Sequence, residues 1–437
     1  MAPKSRAYLD TIAGRIASLP PAIVAARVSE LAGAHERWRR QTLNLLASEN
    51  AISRRALALL GSAIATRLTE GFPGDKEFPP PRHNEQIDEI EAILIDFARR
   101  LVPARHVEWR AVSNTMANAM ALAAVTRPGD RILVQSLSGG GNMSYHRGAV
   151  PDLLHLEIAN LPDGPELGID LDLSRARARE VRPAAIVVGG SYFLFPLPVR
   201  ELRSIADEVG AALIYDAAHV GLLIAAGLFP HPLQEGADLL TMGTHKIMGG
   251  PIGGLLFTDR DDLAERIVGR THPLFLQTRD QNKYAAAAHA LAELVVHGTD
   301  YARQMVANAK TLAAGLEQAG FVVLGAARGY TETHQVILDV RSLGGVTVED
   351  RCQAANILIH RGRVVSDRPD LGERSAIRIS VQEVTRQGMA GAEMARIVRL
   401  IADATWQRRS TEAIAADVAA LAAAHPRIHY SFDDHEG

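Results

Sequence analysis

Residues 238–258 read DLLTMGTHKIMGGPIGGLLFT, two apolar runs on either side of a polar, glycine-rich turn. Asp238 to Met242 has the length and apolar composition of a buried strand, and Leu255 to Thr258 has it again. Between them stand Thr244, His245 and Lys246, followed by the turn Gly249-Gly250-Pro251-Ile252-Gly253-Gly254. Polar residues at the carboxyl end of a buried strand mark the ligand-binding edge of an open α/β sheet. Glycines beside them let a ligand come close to the backbone.

Working outward, the same signature repeats. Arg131–Gln135 follows the Pro-Gly-Asp turn at 128–130, Ala184–Val188 runs into Gly189-Gly190-Ser191, and Ala212–Tyr215 ends on Asp216. Helical segments alternate with these strands, which predicts an α/β fold with a mostly parallel central sheet covered by helices. Upstream, helices are predicted over Ala22–Arg40, Ser53–Leu60 and Asn84–Leu101, with a Gly- and Pro-rich loop from Glu70 to Asn84. After Tyr301 the pattern changes. A long helix through Asn308 and Leu312 is followed by Phe321–Leu324, a strand at His334–Val340 and a helix at Thr347–Ala355. A strand at Ala376–Ser380 and a helix at Gly388–Ala402 complete a smaller C-terminal α+β lobe. The expected division is a helical arm over 1–52, a large cofactor-binding domain over 53–300 and a small domain over 301–437. Asp433 to Gly437 reads as a solvated tail.

Composition narrows the function classes. The 437 residues are 47% hydrophobic and 22% charged, with a net charge of −3 and no basic cluster, which argues against nucleic acid or an anionic membrane as partner. No apolar run approaches the roughly 20 residues that span a bilayer, and Met1–Val28 has no signal-like core. The single cysteine, Cys352, excludes a disulfide framework and a multi-cysteine metal site. These features predict a cytoplasmic globular protein with no metal.

Lysine is scarce: Lys4, Lys76, Lys246, Lys283 and Lys310. Lys4 lies near the terminus, Lys310 in a polar helix face, and Lys76 and Lys283 in hydrophilic loop or helix-start contexts. Only Lys246 joins a buried strand to a glycine-rich turn, the setting in which a desolvated amine loses its proton and attacks a carbonyl. The plain alternative is a surface lysine. Asp216, thirty residues earlier at a strand end, can hold the protonated pyridine nitrogen of pyridoxal phosphate (PLP), or can simply cap a helix. His219 can lie over the ring or contact its phenolic oxygen, and otherwise reads as structural. Ser113-Asn114-Thr115 opens a helix and suits a phosphate, although N-capping explains the same residues. Arg378, inside the strand pattern, can clamp a carboxylate with two parallel hydrogen bonds or face solvent. The chain order is phosphate turn, Asp216, Lys246, Arg378.

With these residues in place, the sequence resembles the serine hydroxymethyltransferase family of fold-type I PLP-dependent transferases, from about Leu43 to Ala402. The matching runs are Leu46-Ala47-Ser48-Glu49-Asn50, Thr69-Glu70-Gly71-Phe72-Pro73-Gly74, Asp216-Ala217-Ala218-His219-Val220 and Thr244–Gly254. The resemblance implies Lys246 as the Schiff-base lysine, Asp216 at the ring nitrogen and His219 near the phenolic oxygen. It implies Ser113 and Thr115 at the phosphate, with Asn114, Ser191, Thr244 and His245 completing the cofactor shell. Ser48 and Arg378 would hold the substrate carboxylate. Glu70, reaching across a homodimer, would handle the proton of the substrate hydroxyl.

The sequence also departs from the family pattern. Leu68 stands for a tyrosine, Glu77 and Phe78 for a tyrosine pair, and Ile252 for the arginine of Gly-Pro-Arg-Gly-Gly. Asn142 falls where a histidine stacks on the ring, with Tyr145 and His146 as alternatives. The glycine pair that reaches the partner's phosphate is not visible near Gln277-Thr278-Arg279. Tetrahydrofolate use is therefore left open. The expected activity is making or breaking the Cα–Cβ bond of a small β-hydroxy amino acid, by hydroxymethyl, aldol or transaldol transfer. The alternatives are racemisation, decarboxylation or oxidative chemistry at Cα, or a non-catalytic homologue.

Overall fold

In the computed structural model the described residues are 3–363, 367 and 374–435. Seven strands form the central sheet: β1 (His106–Glu108), β2 (Arg131–Gln135), β3 (Glu157–Leu161), β4 (Ala185–Gly189), β5 (Ala212–Asp216), β6 (Leu239–Gly243) and β7 (Gly254–Thr258). Their spatial order is β1-β7-β6-β5-β4-β2-β3. Strands β3, β2, β4, β5 and β6 run parallel, and β7 turns back antiparallel on β6 and pairs with β1. Strands β4, β6 and β7 are buried at every position. Burial on both faces is why these segments read as continuous apolar runs. Successive side chains go to opposite faces: Leu133, Ile186, Leu213 and Leu240 join one core, and Ile132, Val134, Val187 and Ile214 the other.

The register matters for the site. Gly189 lies beside Asp216 and Asp216 beside Thr241, so the carboxyl ends of β4, β5 and β6 finish level. Gly189 takes φ +86°, and a Cβ there would meet the Asp216 carbonyl, so a side chain at 189 would push β5 away.

The C-terminal lobe is a four-stranded antiparallel sheet of β8 (Val322–Val323), β9 (Gln335–Asp339), β10 (His360–Gly362) and β11 (Ala376–Ser380), in the order β8-β9-β11-β10. One 38-residue helix, Gln281–Gln318, runs unbroken past Asp300 and Tyr301 and serves both lobes. Leu43–Asn44, at the end of the arm, pairs in parallel with Ile357–Leu358 of the small lobe. The arm is two helices, Pro3–Ile16 and Pro21–Arg39, and the second buries none of its residues.

Three local expectations are corrected. The Gly- and Pro-rich loop contains a hairpin, Glu70–Phe72 against Asp75–Phe78, and the following helix starts at Pro81, where proline fits the first turn. Lys76 is no hydrophilic-loop lysine: its side chain is 1% exposed and its ammonium lies 2.6 Å from the buried Glu91 carboxylate. The chain end is docked at Asp433, whose carboxylate accepts a 2.6 Å bond from the Arg54 backbone N–H. An unforeseen helix, Thr411–Ala423, precedes it.

Candidate active site

The site is built at the level carboxyl ends of β2, β4, β5 and β6. Asp216 ends β5 and is fully buried. Its Oδ1 accepts bonds from the Ala218 backbone N–H at 2.9 Å and the Asn114 amide at 3.4 Å. Its Oδ2 accepts from the amides of Asn142 at 2.7 Å and Asn118 at 3.2 Å. A carboxylate has the lone pairs for such a set. Asn142 therefore lies against Asp216. Of its two alternatives, Tyr145 is buried in the same region, where burial and then the Asp216 charge raise its hydroxyl pKa. His146 instead contacts the Gln135 carbonyl at 3.2 Å.

Lys246 follows β6 at half-buried depth. Burial lowers its pKa from 10.5 to about 8; Asp216 opposes this and Arg378 adds to it. Its carbonyl accepts the Asn50 amide at 2.9 Å, which places the Leu46–Asn50 run against the lysine loop. The glycine-rich turn is held by Thr244, whose hydroxyl donates to the Pro251 carbonyl at 2.5 Å, so that hydroxyl is spent on the loop. His245 has its pKa lowered to about 4, first by burial and then by Lys246, and its Nδ1 lacks a partner. Ser113 caps the helix Asn114–Val125, accepting from the Met116 N–H at 3.2 Å, with Thr115 exposed beside it. Gly254 passes so close to the Ser113 carbonyl that a Cβ would collide there. The lysine turn and the helix start are thus packed on one another.

His219 is 2% exposed, and burial followed by Lys246 and Arg378 keeps its ring well below the usual pKa. It stacks on His334 with centroids 6.1 Å apart and planes 13° apart. Arg378, 6% exposed on β11, donates to the Ser191 carbonyl at 2.7 Å and lies 4.6 Å over the Tyr192 ring. Asp216, Asn142, Lys246, His219, His245, Asn114 and Arg378 thus come to one edge of the sheet, with Ser191 at Arg378. Two expected residues stand apart within one chain. Ser48 is exposed, and the Glu70 carboxylate faces His272 at 3.7 Å.

Sequence reasoning missed Asn118, which donates to Asp216 and Ser144 and accepts from Thr241. A fully buried polar residue one turn after Asn114 in an alanine-rich helix was the available signal. Tyr192 and His334 were also missed.

The residues present fit PLP. Nδ1 of His219, Nδ1 of His245, Oδ1 of Asn114 and Nε of Arg378 are buried without hydrogen-bond partners among the described residues. Such orphaned atoms mark a place built for a polar ligand. The model of the serine hydroxymethyltransferase family matches residues 24–401.

The chain belongs to the serine hydroxymethyltransferase family.

It is 35% identical over 413 residues to a serine hydroxymethyltransferase of Methanosphaera stadtmanae, covering 94% of this chain and 96% of that one. It is 38% identical over 401 residues to one from Methanopyrus kandleri, covering 91% and 93%. Among solved structures, the L-threonine transaldolase of Pseudomonas fluorescens in its internal aldimine state superposes with TM-score 0.87 at 26% identity, over 95% of each chain. This serine hydroxymethyltransferase-family chain is a PLP-dependent transferase or aldolase-like enzyme acting on the Cα–Cβ bond of a β-hydroxy amino acid. No helix among the described residues is long and apolar enough to cross a membrane.

Proposed function

We propose that this enzyme cleaves and forms the Cα–Cβ bond of a small β-hydroxy amino acid by aldol or transaldol transfer, without requiring tetrahydrofolate. The observation that carries the reading is Lys246, its pKa brought down by burial to about 8, within electrostatic reach of the Asp216 carboxylate and the Arg378 guanidinium. Leu68, Phe78 and the exposed Ile252, in place of family tyrosines and an arginine, support independence from folate.

PLP supplies, when bound, an electron sink for the pair released at Cα. Lys246 provides the unprotonated amine that holds the cofactor. Asp216, fixed by four N–H donors, keeps a negative charge at the ring nitrogen. Ser113, Asn114 and Thr115 offer the helix start to the phosphate. His219 presents a ring, held neutral by burial, toward the cofactor. Arg378 would clamp the α-carboxylate and so orient the bond to be broken, with Ser48 assisting. The hydroxyl proton goes to Glu70 of the partner subunit or to a water, the Cα–Cβ pair stays on Cα, and an aldehyde leaves. The functional unit is a homodimer in the cytoplasm, with a helical arm (1–52), a large PLP domain (53–300) and a small domain (301–437).

Aldehyde release from L-threonine or another β-hydroxy amino acid, measured with and without tetrahydrofolate, tests this reading. Equal rates are expected. A strict folate requirement would make the protein a hydroxymethyltransferase instead.

A further inference from the structure

One wall of the site is made of arginine. Strand β10 lies against β11, which carries Arg378. Arg361, Arg363 and Arg374 join Arg378, His360, Met143 and Tyr192 around a cavity of about 150 Å³. Part of this charge is compensated: Glu349 pairs with Arg361 at 3.0 Å and with His360 at 3.4 Å. Among the described residues no ion pair is seen for Arg363 or Arg374, and the Nε of Arg363 is buried without a hydrogen bond. Arg378 has one N–H on a backbone carbonyl and its Nε unpartnered. Tyr192 abuts Gly362, which has no room for a Cβ, so the ring under Arg378 is fixed against this wall.

Arg378 is buried, Arg363 half-buried and Arg374 exposed at the rim. Guanidiniums drawn out of water in surplus call for an anion, because charge-assisted hydrogen bonds offset their desolvation. A single α-carboxylate satisfies Arg378 and leaves two arginines. We propose that the site selects a substrate with two anionic groups. The α-carboxylate sits at Arg378, and a phosphate or second carboxylate on the aldehyde half sits at Arg363 and Arg374. This inference rests on the Cα–Cβ reading above. In the synthetic direction glycine loses a Cα proton, Cα bonds to the aldehyde carbon, and the carbonyl oxygen gains a proton, with no change of oxidation state overall.

The test uses PLP-loaded protein, glycine and paired aldehydes: glycolaldehyde against glycolaldehyde phosphate, and butyraldehyde against succinic semialdehyde. The anionic member of at least one pair is expected to have a kcat/KM about tenfold higher or more, as a desolvated charge pair supports. The pair that shows it separates phosphate from carboxylate. The preference collapses in the double variant Arg363→Gln, Arg374→Gln, whose fold is checked by circular dichroism and PLP content. Calorimetric titration with inorganic phosphate and with succinate reads the subsite without turnover, and weakening of about tenfold in the variant is expected. Neutral aldehydes used as well as anionic ones would overturn the inference and leave the Cα–Cβ reading intact. Anion binding that is absent, or unchanged in the variant, would overturn it as well. If no aldehyde is consumed with glycine or with L-threonine as the donor, the Cα–Cβ reading fails, and the titration alone decides the subsite.

Discussion

Asp216 and Lys246 are the residues on which the proposed function rests. Their places were legible because Asp216 ends one apolar strand and Lys246 follows another, and a strand end in a parallel sheet is where ligands collect. The cage around Asp216 was not legible. Asn118 and Asn142 come from separate segments, and only the sheet register brings them to one carboxylate. Lys246 carries a pH prediction. Burial lowers its folded pKa to about 8 from 10.5, so its neutral, nucleophilic fraction rises as pH passes through about 8. The rate of covalent PLP attachment to PLP-free protein, followed by absorbance, should rise with a midpoint near that value. Attachment should vanish in Lys246→Ala; a pH-independent rate, or attachment retained in the variant, would remove Lys246 from this role.

At the scale of elements, the hairpin Glu70–Phe78 is the part that sequence misread. Its glycines and prolines look like loop, and the anchor that makes it a hairpin is tertiary. Lys76 reaches Glu91, and Arg279 lies 3.6 Å from Glu91 while bonding the Gly71 carbonyl at 2.8 Å. Burial raises the Glu91 carboxyl pKa, and Lys76 and Arg279 pull it back down. Removing one partner strands a buried charge, so Lys76→Met should cost about 3 kcal/mol, read by urea denaturation. The same change should lower kcat through the displaced Glu70 while leaving PLP content intact. A loss below about 0.5 kcal/mol would mean that the pair is solvated. Four of the five parallel strands were legible within a residue because burial on both faces leaves no polar alternation to confuse them, whereas the partly exposed edge strand Glu157–Leu161 was not read. The helix Gln281–Gln318 was legible, but its continuity through the expected division at 300–301 was not, since a change of neighbours does not break a helix.

For the whole molecule, Glu70 faces His272 within one chain, which suits a role delivered across a homodimer. Mixing Lys246→Ala with Glu70→Gln tests this directly. Each mixed dimer would hold one site with both residues intact, so random exchange should recover about a quarter of wild-type activity from two inactive parents. No recovery despite subunit exchange would place Glu70 in its own chain's site, or outside any site. The sequence also hid the docked chain end, because the partners of Asp433 are Arg54 and Arg55, nearly four hundred residues away.

Hydroxymethyl, aldol and transaldol transfer share one requirement: the Cα–Cβ bond of a bound β-hydroxy amino acid must break and its aldehyde must leave Cα. Proton NMR of L-threonine with PLP-loaded enzyme and an acceptor aldehyde, without folate, follows that step through the acetaldehyde methyl signal. Steady appearance of acetaldehyde is expected, absent in Lys246→Ala. No aldehyde from L-threonine or another β-hydroxy amino acid, with or without an acceptor, would contradict the assignment of this site to Cα–Cβ chemistry.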